Sequence, residues 1–197
     1  MEYARGSNME TTIMMIRHAQ SPFVLGEERT RPLSVKGEMD AHKISALMAD
    51  VKIDAIISSP YKRAIQTIED IAKHHHLEVQ VIEELKERSL KGNYRLSDKE
   101  IHKAIESSFE DADFSLQKGE SVNDVQNRAI PVIHHLLKQY EGKTIIIGTH
   151  GNVMTIIMNY YNKTYGYDFW QSTTKPDIYK LTFSGANLLE VQRLWQE

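Results

Sequence analysis

Thr11-Thr12-Ile13-Met14-Met15-Ile16 runs directly into Arg17-His18-Ala19-Gln20-Ser21. The first six residues are apolar and partly β-branched, as in a strand buried on both faces. The next five turn polar and basic at once. In an open α/β sheet, ligands sit beyond the carboxyl ends of such strands, so the boundary at Arg17-His18 marks both the fold and a place to look for chemistry.

The pattern repeats outward from there. Ser34 is a suitable N-cap for a helix over residues 35–50, with Ala41, Ile44, Ala46, Leu47 and Met48 as its apolar face. Residues 53–58 (IDAIIS) form a second short strand, closed by Ser58-Ser59-Pro60. An amphipathic helix over 62–75 turns Ala64, Ile65, Ile68, Ile71 and Ala72 inward, and residues 78–82 give a third strand. Residues 83–120 are polar and irregular with helical pieces, which predicts a lid-like surface excursion. Ser121 opens a long helix to about Tyr140, with a bend expected at Pro131. A strand at 144–148 leads into a short apolar helix at 151–161. Residues 178–183 and 188–194 read as a hairpin joined at Ser184-Gly185-Ala186-Asn187. Strands alternating with amphipathic helices predict a three-layer α/β/α sandwich, its central sheet mainly parallel with an antiparallel edge. Residues 9–197 are expected to form one domain. Residues 1–8 (MEYARGSN, before Met9) read as an expression remnant or a disordered tip.

Composition narrows the function. The chain has 197 residues, 41% hydrophobic and 26% charged, with a net charge of −3. So mild a charge, with no basic run, gives no footing for nucleic acid or a membrane surface. Cysteine is absent. That removes disulfides, thiolate metal sites and a cysteine nucleophile together, and fits a cytoplasmic location. No apolar stretch approaches the roughly 20 residues that cross a bilayer.

Just past the parallel strands, two histidines, two arginines and several acids collect at one sheet edge: Arg17-His18, then Arg63, then Glu83-Glu84 and Glu87, then His150. Arg63 and His150 also stand at helix starts, where free N–H groups favour an anion. Arginine's planar fork matches phosphate oxygens, so the expected ligand is a small phosphorylated molecule. Singly, each residue has a plainer reading as a solvated or core side chain. His74-His75-His76 reads as a helix end rather than a metal site, because adjacent side chains point apart. His42, His102, His134 and His135 fall inside helices and are given no role.

Three motifs together, Ile16-Arg17-His18-Ala19, Ser58-Ser59-Pro60-x-x-Arg63-Ala64-x-x-Thr67 and Gly148-Thr149-His150-Gly151, resemble the histidine phosphatase superfamily, also called the phosphoglycerate mutase-like family. The resemblance covers about residues 13–194. It implies that His18 is phosphorylated by substrate and then hydrolysed, and that Arg17 and Arg63 bind the phosphoryl group. It implies that a protonated His150 bonds the same group and that Glu87 is the proton donor. The Asn152 backbone N–H and the Ser21 loop would close the pocket, and neither metal nor cofactor is needed. Three positions depart from the family's pattern. Ala19 stands where Gly is usual. Pro22-Phe23-Val24-Leu25-Gly26 replaces the usual substrate-gripping stretch. Gly92 lies five residues past Glu87 rather than four, which leaves Glu83 and Glu84 as competing acids. A phosphatase is favoured, with a phosphoglycerate mutase and a non-catalytic phospho-ligand-binding module as alternatives. The oligomeric state is open, although the 188–194 strand could pair with another chain.

Overall fold

The computed structural model describes residues 9–197, so the expectation for residues 1–8 lies outside the described residues. A six-stranded sheet runs in the order β3-β2-β4-β1-β5-β6. The strands are β1 (Glu10–Arg17), β2 (Ala55–Ser58), β3 (Val79–Val81), β4 (Thr144–Thr149), β5 (Asp177–Ser184) and β6 (Asn187–Arg193). The first four in spatial order are parallel; β5 lies antiparallel to β1, and β6 to β5. This is the expected mainly parallel sheet with an antiparallel edge.

Successive side chains of β1 point to opposite faces and feed two cores. Ile13 and Met15 join Ile145, Ile147, Leu181 and Phe183 under α4 (Val122–Gln139) and α5 (Gly151–Tyr161). Met14 and Ile16 join Ile56, Ile146, Ile178 and Trp195 under α1 (Val35–Met48) and α2 (Lys62–His74). The near-unbroken apolar reading of β1 and β4 is thereby explained: both faces of each are covered. Ile13, Met15 and Ile16 are wholly inaccessible, and cutting any of them to Ala would cost about 2–5 kcal/mol.

The helices differ in detail from the sequence expectation. In α1 the buried stripe is Gly37, Asp40, Ala41, Ile44 and Met48, while Ala46 and Leu47 face outward. A single helix packed on one side has a stripe too narrow for three consecutive apolar residues. Asp40 takes the vacated place with Lys36 at 2.6 Å and Lys43 at 3.3 Å. Pro131 lies inside α4, which continues on both sides of it. The 83–120 excursion carries a full helix, α3 (Asp98–Glu110), started by a reciprocal Ser97–Glu100 capping box. A short α6 (Tyr167–Ser172) had no sequence expectation. Among the described residues no helix is long and apolar enough to cross a membrane.

Register then places the chemistry. Arg17 ends β1 opposite Thr149 of β4 on one side and Asp177 of β5 on the other. Ser58 of β2 stands opposite Gly148. The residues just past these positions, His18, Ser59 and His150, therefore lie side by side at one sheet edge.

Candidate active site

His18 is buried, and its backbone N–H donates to Thr149 O at 3.0 Å, continuing the β1–β4 ladder one step past the strand. Its Nδ1 lies 2.7 Å from Ala19 O. A carbonyl only accepts, so Nδ1 carries the hydrogen and Nε2 keeps a free lone pair. Burial first, and the Arg63 guanidinium second, push the His18 imidazole well below its ordinary value. The ring is a neutral base with a fixed tautomer.

The ring of His150 stands edge-on to His18 at 5.3 Å between centroids. Its Nε2 is 2.7 Å from Ser59 Oγ, which also accepts the Tyr61 N–H at 3.2 Å. Ser59 Oγ, which already accepts from Tyr61, is placed to donate to Nε2; that arrangement would leave the His150 hydrogen on Nδ1, a buried atom with no protein partner. Burial and the nearby His18 and Arg63 hold the His150 imidazole well below the ordinary histidine value.

Arg17 and Arg63 converge on the same place. Arg17 Nη1 donates to Thr173 Oγ1 at 2.5 Å, and its fork lies flat against Gly151. Any side chain at 151 would put a Cβ 2.7 Å from Arg17 Cζ, which is the reason for glycine after His150. Arg63 donates to the Glu28 carbonyl and, at 3.1 Å, to Glu28 Oε2. The Nε of both guanidiniums is buried without a protein partner. Native interiors pair nearly all buried donors, so several orphan N–H groups around one spot describe a seat for an oxyanion.

Glu87 joins the cluster at the start of α5. Its carboxylate accepts from Asn152 N at 3.1 Å, Val153 N at 2.8 Å and Arg88 N at 2.8 Å. The competing acids point elsewhere. Glu83 pairs at the surface with Arg29 and Lys86, and Glu84 is exposed. Arg128 of α4 holds the acid-bearing turn: Nη1 donates to Glu84 O at 2.6 Å and Lys86 O at 3.0 Å, while Nε and Nη2 grip the Glu120 carboxylate at 2.8 and 3.0 Å.

Two expected phosphate contacts are differently engaged. The Asn152 N–H is taken by Glu87. Ser21 spends its hydroxyl on Pro32 O at 2.7 Å and accepts Arg31 Nη1 at 2.8 Å, so it shapes the loop. Sequence reading missed Arg31 itself. It is buried, its Nε faces Glu28 Oε1 at 3.6 Å without a hydrogen bond, and its charge acts on His150 and Arg63. Lys175 was also missed. It sits on the exposed rim before β5, where desolvation and then Arg17 and Arg31 lower its ammonium. Neither belongs to a segment directly past a parallel strand, and only those segments can be assigned to the site edge from sequence. As for His74–His76, His75 Nε2 bonds Met48 O at 2.9 Å, and among the described residues no group of three His, Cys, Asp or Glu is arranged to hold a metal ion.

Comparison with known proteins supplies a family and a fold. The model of the histidine phosphatase superfamily (branch 1) matches residues 13–188. "Uncharacterized phosphatase PhoE" of Bacillus subtilis (strain 168) is 25% identical over 145 residues, covering 72% of each chain. A phosphoserine phosphatase from Entamoeba histolytica, solved with 3-phosphoglyceric acid, superposes with a TM-score of 0.78 at 20% identity, over 95% of this chain and 98% of that one. A mycobacterial glucosyl-3-phosphoglycerate phosphatase superposes at 0.74 with 20% identity, over 93% and 97%.

Proposed function

Since this chain belongs to the histidine phosphatase superfamily, branch 1, we propose that it is a metal-independent phosphomonoesterase that works through a phosphohistidine on His18. The observation that carries the reading is the His18 tautomer: Nδ1–H is spent on Ala19 O, and the Nε2 lone pair is free beside two guanidiniums. The substrate is a small phosphate monoester.

In the first step His18 Nε2 attacks phosphorus, the N–P bond forms and the ester P–O bond breaks. A covalent intermediate divides one hard displacement into two easier ones. Arg17, Arg63 and the His150 Nδ1–H hold the equatorial oxygens, where charge is spread in the transition state. The leaving alkoxide takes a proton from the Glu87 carboxyl. In the second step the Glu87 carboxylate takes a proton from water, the water oxygen bonds to phosphorus, and the N–P bond breaks to release phosphate. The 83–120 segment, which carries Glu87 at its start, is proposed to serve as the lid.

The test is phosphate release from an aryl phosphate, with acid-quenched trapping of the phosphoenzyme. His18→Ala should lower kcat by at least about a thousandfold, as removal of a covalent nucleophile does elsewhere, and abolish the trapped label. Undiminished release by His18→Ala would overturn the reading. Robust isomerisation of 3-phosphoglycerate with negligible phosphate release would favour the mutase alternative instead.

A further inference from the structure

Beside the phosphate seat the protein opens into an apolar chamber. A cavity of about 380 Å³ begins at Glu28, Tyr61 and Glu87, the residues that border the phosphate seat. It continues between Phe23, Leu25, Leu90 and Ile101. A second cavity of about 610 Å³ shares Phe23, Leu25, Lys91 and Ile101 with the first and extends it along Val24 and Leu96.

Two facts set its chemistry. First, Phe23, Val24 and Leu25 are 69%, 43% and 42% exposed, three consecutive apolar residues on a loop. They stand in Pro22–Gly26, the very stretch that departs from the family's pattern. Second, the cations on the inner wall are already engaged. Arg88 donates Nε and Nη2 to Glu120 O at 3.0 and 2.8 Å and Nη1 to Ser108 Oγ at 2.8 Å. Lys91 Nζ donates to the carbonyls of Gly92 and Tyr94 and lies over the Tyr94 ring. Arg95 and Asp98, of opposite charge, stand only in the outer cavity. Inside the chamber, which Lys175 does not line, a second anionic group would meet hydrocarbon, Glu28 and cations already spent on the protein.

We propose that this chamber is the leaving-group subsite and that the preferred substrates are phosphate monoesters of apolar alcohols, alkyl or aryl. The proposal rests on the reading of His18 as the phosphoryl acceptor, because it places the ester oxygen at the junction by Glu87. The occupant is fixed by continuity: a phosphoryl group held by Arg17 and Arg63 has this chamber next to it.

The experiment is a homologous series, methyl to octyl phosphate, whose alcohols leave with nearly equal ease, so that length alone varies. Values of kcat/KM should rise by about threefold per methylene until the chamber is filled. Phe23→Ser and Leu25→Ser should flatten that rise; both side chains are exposed, so the variants keep the wild-type melting temperature. Calorimetric binding of the matching alkylphosphonates, which cannot be hydrolysed, should show the same dependence in wild type. A flat series, an unchanged slope in both variants, or 3-phosphoglycerate turned over better than butyl phosphate overturns the proposal. Rising phosphonate affinity without ester hydrolysis would instead sink the phosphatase reading and leave the subsite. Hydrolysis with flat phosphonate affinity would do the reverse.

Discussion

Arg31 shows how much a single side chain can carry without a motif to announce it. Its Nη1 is pinned by Ser21 O and Ser21 Oγ, both at 2.8 Å, its Nε faces Glu28 Oε1 at 3.6 Å, and its charge bears on His150 and Arg63. A charge-assisted bond to a phosphoryl oxygen is worth about 1.5–3 kcal/mol. Arg31→Ala should therefore lower kcat/KM for an aryl phosphate by about ten- to a hundredfold and weaken vanadate inhibition in proportion. Arg31→Lys should not rescue it, since an ammonium cannot hold the Ser21 pair and face inward at once. Unchanged vanadate affinity in both variants would reduce Arg31 to a loop support. Arg17, His18, Arg63, Glu87 and His150 were legible because each comes after a parallel strand, where the chain must emerge at the same edge. Arg31 lies thirteen residues past His18, beyond the reach of that rule.

At the scale of elements, the antiparallel edge explains the other omission. A parallel strand delivers its end to the active edge; an antiparallel strand delivers its beginning. β5 pairs Asp177 with Arg17, so Lys175 and Thr173, which precede it, arrive beside the Arg17 guanidinium. The hairpin was readable from its turn, but which side of it faces the site depends on β5 pairing with β1, a partner far away in sequence. The start of α5 is similarly decided by packing. Gly151→Ala should leave the helix intact, and alanine favours helix more than glycine does. Yet its Cβ would push the Arg17 fork aside, and misplacement by about 1 Å can cost about a hundredfold in rate. Circular dichroism and kcat/KM should thus part company: an unchanged spectrum with a drop of about a hundredfold. Retained activity would show that Arg17 can move without loss.

For the whole molecule, the two buried histidines tie stability to pH. Both fold with imidazoles well below the ordinary value of 6.5, chiefly through burial. Below about pH 6.5 the unfolded chain binds protons that the folded chain refuses, so stability is complete above that pH and is lost as pH falls. Each histidine contributes a slope of up to about 1.4 kcal/mol per pH unit. Urea unfolding between pH 7 and pH 5 should show the loss, and His150→Asn should remove about one proton's share of it. A slope indifferent to that substitution would place the acid sensitivity elsewhere. The general architecture was legible from alternation and strand ends. The lowered basicity of His18 and His150 was not, because burial in a common interior is a property of the assembled chain.

The position of β1 has one more consequence. It is the first strand in the sequence, yet both its neighbours, β4 and β5, come from the last third of the chain. On the ribosome β1 must wait, apolar on both faces, until residues up to Ser184 have emerged. Pairing across such separations is slow, because the loop must close before any contact repays it. His18 and His150 therefore meet late, and a nascent or truncated chain ending before β4 holds His18 without the β4 backbone and the His150 ring that surround it in the folded protein.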